Sequence, residues 1–229
     1  MNKRILITGT SRGIGKYLVN YYTSLGYSVI GCSRNEVNYT FGNYEHFICD
    51  ISDEKSVKQI FRTISKAHGG IDILINNAGI ASMNHSLLTE ISTVKNIFDT
   101  NLIGSFLFSR EAAKLMQKNK CGRIINFSTV AVPLALEGEA IYASSKAAVI
   151  SLTKTLSKEL SNFGITVNAI GPTPVKTDLI KNIPTHKIDR IISQLSSKSY
   201  TSIDDILNIL DFFMKKESQL VNGQIIYLG

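Results

Sequence analysis

The sequence predicts an α/β protein of one domain, residues 1–229, built on a doubly wound parallel sheet of about seven strands with helices on both faces. Three observations predict it. Short apolar runs alternate with helical patterns along the chain, and such alternation gives a parallel sheet covered on both sides. A glycine-rich turn directly follows the first apolar run. The length of 229 residues suits one large domain, and no linker or repeat divides it.

Composition and charge narrow the class of protein. Hydrophobic residues make up 44% of the chain and charged residues 19%, values ordinary for globular proteins. No apolar run approaches the roughly 18 residues that span a membrane, so no membrane partner is expected. The net charge of 25 − 18 = +7 comes from scattered side chains without a basic run, so no nucleic-acid partner is expected. The odd count of three cysteines, without metal spacing, predicts neither a metal site nor disulfides, and we expect a cytoplasmic protein.

The glycine-rich turn follows the first predicted strand, Ile5–Ile7, with the spacing Gly-x-x-x-Gly-x-Gly. Glycines let the backbone approach a pyrophosphate closely, and a helix N-terminus offers free N–H groups, so the turn predicts a phosphate site. The spacing differs from the usual dinucleotide fingerprint, and an ordinary tight turn is the alternative interpretation. The cofactor-binding residues predicted in this turn are Gly9, Ser11, Arg12, Gly13, Ile14 and Gly15.

The second predicted strand, Ser28–Cys32, ends at Ser33 and Arg34. In a dinucleotide fold this strand end faces the adenosine ribose, where an acidic residue binds the 2′-hydroxyl of NAD. The chain has no carboxylate there, and Arg12 and Arg34 supply two guanidinium groups instead. Guanidinium groups suit a 2′-phosphate, so we predict NADP(H) as the cofactor. A merely solvated surface is the alternative for either arginine alone.

The later strands bring further groups to the same edge of the sheet. Ligands of open parallel sheets bind outside the carboxyl ends of the strands, so the residues after each strand are expected to converge. The predicted strands are His46–Cys49, Ile71–Ile75, Arg123–Phe127, Ile165–Ile170 and a last one within Val221–Leu228. The helical patterns between them include a long one over Val94–Phe108, and Asp53 and Ser202 are expected to cap two others.

Tyr142 and Lys146 are four residues apart in a helical pattern and therefore share one helix face. A nearby positive charge stabilises phenolate, so Lys146 is expected to lower the pKa of Tyr142 and make it a usable general acid or base. Such a pair also arises by chance in many helices. Here Thr129 adds a hydroxyl thirteen residues upstream, where the fifth strand ends. The three residues are therefore predicted to form a catalytic group.

These features together resemble the classical short-chain dehydrogenases/reductases over essentially the whole chain, and bacterial 3-oxoacyl-acyl-carrier-protein reductases most of all. The motifs that carry the resemblance are Thr8-Gly9-x-x-x-Gly13-x-Gly15, Asn76-Asn77-Ala78-Gly79, Asn101 and Tyr142-x-x-x-Lys146. The resemblance implies a Rossmann-like fold and an NADP(H)-dependent enzyme (EC 1.1.1.-) that interconverts a ketone and a secondary alcohol. It also implies a homo-oligomer, tetramer or dimer, since the family associates through the helices at Asn101–Phe108 and after Tyr142.

The resemblance assigns a role to each matching residue. Tyr142 would exchange a proton with the substrate oxygen, Lys146 would bind the nicotinamide ribose, and Asn101 would hold a proton-relay water. Thr129 falls where the family has its catalytic serine. The other implied cofactor contacts are Asp50 and Ile51 near the adenine, Asn77, Ala78 and Gly79 after the fourth strand, and Pro172, Val175 and Thr177 after the sixth.

The chain departs from the family at three places. Threonine at position 129 keeps the hydroxyl, but its methyl group crowds the site. The usual Pro-Gly after the sixth strand is Pro172-Thr173, which is expected to stiffen that loop. Acyl-carrier reductases present two basic residues to the carrier. One of these positions is Lys120 and the other is Phe163, so the sequence supports an acyl carrier protein only in part.

The substrate remains the most open question. Specificity is expected in the loop after Gly79, in Val130–Ala140 and in a substrate-side lid over residues 176–201, and none of these carries a readable motif. The apolar run Val130–Leu136 suits an acyl chain and favours a 3-oxoacyl thioester. A modified sugar or a secondary-metabolite ketone is the alternative substrate. A non-catalytic nucleotide-binding regulator is the alternative from another functional class.

Overall fold

A computed structural model describes residues 3–177, 180–181 and 183–229. Three residues of the predicted lid, at positions 178, 179 and 182, lie outside the described residues, as do positions 1 and 2. The strands are β1 (Arg4–Thr8), β2 (Ser28–Ser33), β3 (Tyr44–Ile48), β4 (Ile73–Asn76), β5 (Gly122–Phe127), β6 (Ile165–Gly171) and β7 (Ile225–Tyr227). Within the described ranges they form one sheet in the order β3-β2-β1-β4-β5-β6-β7. Every pairing is parallel, which confirms the predicted fold class.

Helices cover both faces of this sheet. They are α1 (Gly13–Ser24), α2 (Glu54–His68), α3 (Ile91–Phe98), α4 (Gly104–Met116), α5 (Ala131–Leu134), α6 (Ala140–Glu159), α7 (Thr185–Ser193) and α8 (Ile203–Met214). Neighbouring residues of a strand point to opposite faces. Leu6 accordingly packs in a core with α2, α4 and α6, whereas Ile5 and Ile7 pack in a second core with α1 and α8. None of the helices in these ranges is long and apolar enough to cross a bilayer.

Two helices begin at the capping residues that the sequence predicts. The Asp53 carboxylate accepts hydrogen bonds from the backbone N–H groups of Lys55 and Ser56 at the start of α2. Ser202 and Asp205 form a reciprocal capping box at the start of α8. Each cap satisfies N–H groups that have no partner inside the helix, which fixes where the helix begins.

The long helix predicted over Val94–Phe108 is interrupted. Between α3 and α4 the chain makes a π-helical turn, Asp99–Ile103, and Asn101 lies at its centre. A π turn widens the helix by one residue and commonly occurs at functional sites. The helical periodicity continues on both sides of the turn, so the sequence pattern alone did not show it.

The predicted lid over residues 176–201 has more order than its sequence indicated. It contains α7, and Ile188, Ile191 and Leu195 are buried. Ile188 and Ile191 lie three residues apart on one face of α7, and Leu195 follows just after the helix ends. The sequence pattern did not indicate this helix, because the charged residues Asp189 and Arg190 separate Ile188 from Ile191.

Candidate active site

The glycine turn between β1 and α1 has a geometry that only glycine accepts easily. Gly9 has φ +74° and Gly13 has φ +56°, values at which a side chain is strained. At Gly15, a Cβ atom would collide with the carbonyl oxygen of Gly9 and lie 2.7 Å from Asn77 Nδ2. The turn is therefore closed tightly against its neighbours, with the N-terminus of α1 directly behind it.

Asn77 and Ala78 hold this turn from the end of β4. The Asn77 side-chain amide donates to the carbonyl oxygens of Thr8 at 2.9 Å and Gly9 at 3.2 Å. The backbone N–H of Ala78 donates to Thr8 Oγ1 at 3.0 Å. These bonds tie the backbone of the turn to the next strand of the sheet. The prediction that an amide of the Asn76–Asn77 pair holds neighbouring backbone is confirmed.

Positive side chains surround the groove beside the turn. The cations that line it with Ser11 and Gly13 are Arg12, Lys16, Lys176 and Lys181. Backbone N–H groups at a helix N-terminus together with several cations suit the phosphates of a dinucleotide. The residues present therefore fit the predicted cofactor. Sequence reasoning missed Lys16, because a single lysine in an amphipathic helix usually lies on a solvated face.

The residues predicted at the adenosine end of the site differ in whether their side chains are available to a ligand. Arg34 is exposed directly after β2, whereas the Ser33 hydroxyl is buried and donates to the carbonyl oxygen of Asn35 at 2.7 Å. Asp50 Oδ1 accepts from the hydroxyl of Ser52 at 2.6 Å. Ile51 is buried in the core. Arg34 is thus available to a ligand, while the side chains of Ser33, Asp50 and Ile51 already have partners within the protein.

The predicted catalytic residues lie together at the carboxyl edge of the sheet. Thr129 follows β5 and lines the same cavity as Tyr142, which lies in the first turn of α6. Lys146 is buried one helical turn later, and its Nζ donates to the carbonyl oxygen of Phe127 at 2.7 Å. The Ser128 hydroxyl instead donates to the backbone carbonyl of Lys146 at 3.5 Å. The hydroxyl beside Tyr142 is therefore that of Thr129, as the alternation of side chains along a strand predicts.

Asn101 connects three parts of the site. It is fully buried, and its side-chain oxygen accepts from the N–H of Ile80 at 2.9 Å. Its Nδ2 donates to the carbonyl oxygen of Ile80 at 2.9 Å and to Ser145 Oγ at 3.0 Å. The Ser145 hydroxyl donates in turn to the carbonyl oxygen of Tyr142 at 2.7 Å. Asn101 thus positions the loop after β4 against α6, and Ser145, which sequence reasoning missed, carries the connection to Tyr142.

The electrostatics differ from the sequence-based expectation. Burial raises the pKa of Tyr142 well above its usual value of 10.0, the negative charge of Glu139 raises it further, and the nearby Thr129 hydroxyl partly offsets both. Burial also lowers the pKa of Lys146 to about 8. The expected lowering of the Tyr142 pKa by Lys146 is therefore wrong for this structure. Tyr142 is a protonated phenol at neutral pH.

An apolar cavity encloses the reactive groups. Thr129, Tyr142 and Lys146 line it together with Asn77 and Gly79. Its opposite side is formed by the loop after β6 and by the lid, with Pro172, Val175, Thr177, Ile188 and Ile191 among the lining residues. The structure thus brings three of the four predicted catalytic residues to one cavity with most of the predicted cofactor contacts after β4 and β6, while Asn101 lies behind it.

Thr173, which replaces the family's glycine, fastens the loop beside this cavity. The N–H of Thr173 donates to Thr201 Oγ1 at 3.0 Å, and the N–H of Thr201 donates to Thr173 Oγ1 at 2.6 Å. A glycine could make only the first of these two bonds, because it has no hydroxyl. The threonine therefore stiffens the loop, as its sequence position predicted.

Glu139, which sequence reasoning missed, also lines this cavity and should make stability depend on pH. Burial raises the pKa of its carboxyl from 4.5 to about 7, with Lys187 partly opposing the rise. The folded protein binds the proton more tightly, so the contribution of Glu139 to stability is full below about pH 4.5 and is lost as the pH rises to about 7.

The quantity to measure is the difference in the free energy of unfolding in urea between Glu139→Gln and the wild type. We expect this difference to favour the variant by on the order of 2–3 kcal/mol more at pH 8 than at pH 4.5. Glu159→Gln, an exposed carboxylate at the far end of α6, is the control and should run parallel to the wild type. Parallel curves for Glu139→Gln as well would contradict the buried-carboxyl assignment.

Comparison with known proteins shows the family of this chain. The family model described as short chain dehydrogenase matches residues 3–188. The 3-oxoacyl-acyl-carrier-protein reductase FabG of Rickettsia felis is 33% identical and is aligned over 99% of this chain and 95% of its own. A solved structure of ElxO with NADP bound has a TM-score of 0.90 at 30% identity, covering 99% of this chain and 97% of that one. A 4-hydroxyisoleucine dehydrogenase complexed with NADH has a TM-score of 0.87 at 27% identity, covering 99% and 96%.

The fold and the family define the class as an oxidoreductase with a nicotinamide cofactor. The chain belongs to the short-chain dehydrogenase family and is related to the 3-oxoacyl-acyl-carrier-protein reductases.

Proposed function

We infer that the protein is an NADP(H)-dependent enzyme that interconverts a ketone and a secondary alcohol. The observation that carries this proposal is that the hydroxyl residues Thr129 and Tyr142 and the buried amine of Lys146 line one cavity with Gly79 and Asn77. The pair supplies two hydroxyl groups to a substrate oxygen, and the glycine turn that Asn77 holds suits the phosphates of the cofactor.

Tyr142, Thr129 and Lys146 have different roles in the proposed carbonyl reduction. The bound cofactor supplies the hydride that reaches the carbonyl carbon. Tyr142 donates its proton to the carbonyl oxygen, and its raised pKa suits this direction because the phenol is protonated at neutral pH. Thr129 donates a hydrogen bond to the same oxygen. Lys146 lies beside Gly79, where a Cβ atom would be 3.3 Å from its Nζ, and it therefore faces the predicted position of the nicotinamide ribose.

Two substrates have support on different grounds. A 3-oxoacyl thioester is supported by the relation to FabG and by the apolar lining, to which Val130, Ala131 and Leu136 contribute. A small polar ketone is supported by the carboxylate of Glu139 in the same cavity.

Oxidation of NADPH should be followed over matched panels of 3-oxoacyl thioesters and of small hydroxylated ketones, including sugar derivatives. Turnover of either panel supports the enzyme. Tight NADPH binding without turnover of any member would instead favour the non-catalytic regulator.

The position of Lys120 indicates where a carrier protein bound to this residue would lie relative to the cavity. Lys120 is exposed just before β5, and Thr129 follows that strand at its other end. Six residues of strand separate the two edges of the sheet by about 20 Å. A carrier docked on Lys120 would therefore lie away from the cavity of its own chain. This separation favours a free thioester over a carrier-bound one within the proposed function.

Cofactor preference tests the two arginines. Each charge-assisted bond of Arg12 or Arg34 to a 2′-phosphate contributes roughly 1.5–3 kcal/mol, so NADPH should bind at least about tenfold more tightly than NADH. Arg34→Ala should remove most of this ratio without weakening NADH binding, as measured by fluorescence titration. Arg62→Ala, an exposed arginine on α2, should leave the ratio unchanged. Equal affinity of the wild type for both cofactors would refute the assignment to NADP(H).

The proposed oligomer is a tetramer. Ile103 is 41% exposed at the end of the π turn, and Phe106 on α4 is 37% exposed. Exposed apolar groups on one helix mark a surface that is buried on association. Light scattering at micromolar concentration should give a mass near four chains, and Phe106→Glu should lower it. A stable wild-type monomer under these conditions would contradict the proposal.

A further inference from the structure

Glu139 is a carboxylate in the reactive cavity that the reduction described above does not use. It immediately precedes α6 and lies three residues before Tyr142. It is 5% exposed and lines the same cavity as Thr129, Tyr142 and Lys146. Its Oε2 atom is buried and has no hydrogen-bond partner among the described residues. A group of this kind normally occurs inside a protein only with a partner.

Structural roles do not account for this carboxylate. Glu139 occupies the N-cap position of α6, but its side chain makes no capping hydrogen bond, unlike that of Asp53 at α2. The positive charge of Lys187 acts on it, yet within the described ranges the carboxylate of this segment that forms an ion pair is the exposed Glu137, 3.3 Å from Arg190. An unpaired buried oxygen costs free energy, and a ligand donor bound in the cavity would remove that cost.

We propose that Glu139 binds a hydrogen-bond donor of the substrate, a hydroxyl or ammonium group close to the reacting carbonyl. At pH 8 the Glu139 carboxylate is ionised and only accepts hydrogen bonds, so at that pH its partner must be a donor. Residues three apart on a helix are neighbours, with Cβ atoms about 5–6 Å apart, so a donor on Glu139 lies within a few bonds of an oxygen held by Tyr142. The substrate class is then a hydroxyketone or an aminoketone.

This inference rests on the proposed carbonyl chemistry and selects between its two substrates. The β-keto end of a 3-oxoacyl thioester has no hydroxyl or ammonium group to offer Glu139. The apolar lining from Ile188 and Ile191 then packs against the carbon skeleton of a compact ketone. Specificity arises because a substrate without the donor leaves the carboxylate buried and unpaired.

The test compares ketones of one shape. The probes are 4-hydroxycyclohexanone and 4-aminocyclohexanone, each against 4-methylcyclohexanone, with 2-hydroxycyclohexanone against 2-methylcyclohexanone. The wild type should show kcat/KM at least about tenfold higher for a donor-bearing probe than for its methyl partner. Glu139→Leu should abolish this preference. Glu139→Gln should keep a preference for hydroxyl, which an amide oxygen still accepts, and lose a preference for ammonium. The control Glu159→Gln should match the wild type.

A binding measurement separates the inference from the proposed function. Dissociation constants of the same probes are measured by calorimetry with the NADP⁺ complexes of Tyr142→Phe and Tyr142→Phe/Glu139→Leu, and the second variant should show no donor preference. A donor preference in binding supports the role of Glu139 even when no probe is reduced, and that absence of turnover counts against the reductase alone. Equal kcat/KM and equal binding of donor and methyl probes, or no binding of any probe, overturns the role assigned to Glu139.

Discussion

Replacing Tyr142 with phenylalanine should lower kcat for carbonyl reduction by about a thousandfold, within the range expected for loss of a general acid. The ring is retained, so the packing of the first turn of α6 stays the same. The bonds of Lys146 to Phe127 and of Asn101 to Ile80 do not involve the phenol. The dissociation constant for NADPH should therefore stay within about twofold, and steady-state kinetics with fluorescence titration measures both quantities.

Tyr27→Phe provides the matched control, because Tyr27 directly precedes β2, at the edge of the sheet opposite Tyr142, and lies outside the catalytic cavity. It should leave kcat unchanged. A Tyr142→Phe variant with kcat within tenfold of the wild type would show that another group donates the proton. If the wild type itself reduces nothing, the same pair of variants shows no difference, and the regulatory alternative gains support.

Gly15→Ala should raise the dissociation constant for NADPH by about a hundredfold, which corresponds to about 2.7 kcal/mol. The added Cβ atom would collide with the Gly9 carbonyl oxygen and lie 2.7 Å from Asn77 Nδ2. Both neighbours are fixed, since Asn77 is bonded to the backbone of Thr8 and Gly9. The turn must therefore open, and its N–H groups move away from the positions that hold phosphate.

Gly42→Ala is the appropriate comparison, because a Cβ atom there meets no atom within 4 Å. It should bind NADPH as the wild type does. Circular dichroism of Gly15→Ala should show the native helix content, so that loss of binding is assigned to the turn rather than to unfolding. Unchanged affinity in a folded Gly15→Ala protein would disprove a phosphate-binding role for this turn.

Much of the fold follows from local pattern. The strand ends lie within two residues of those predicted for β1, β2 and β5, because a buried parallel strand is a continuous apolar run between polar turns. Features that depend on tertiary packing did not follow. The π turn at Asn101 preserves the helical pattern on both sides, so periodicity cannot reveal it. Asp189 and Arg190 separate Ile188 from Ile191 and likewise obscured the apolar pattern of α7.

In the candidate site as well, features set by local pattern were predictable and features set by tertiary packing were not. Tyr142 and Lys146 were predicted together because residues four apart share one helix face, and Thr129 was predicted from its position at the end of a strand. The pKa of Tyr142 was not, since it depends on burial and on the direction of neighbouring groups. Glu139 was missed because an acidic residue at a helix start usually forms a cap. Only the folded chain shows that its side chain turns into the cavity instead.

The paired threonines at the base of the lid have a consequence for how this enzyme can diversify. Thr173 and Thr201 are 28 residues apart in sequence, and their reciprocal bonds close the intervening segment into a loop with fixed ends. Doubling the length of such a loop costs only about 0.6 kcal/mol in closure entropy. Residues between the two threonines can therefore be exchanged or lengthened without displacing Thr129 and Tyr142. The lid segment can therefore be replaced by a different segment. Such a replacement can change the range of substrates while the acid–base chemistry stays constant.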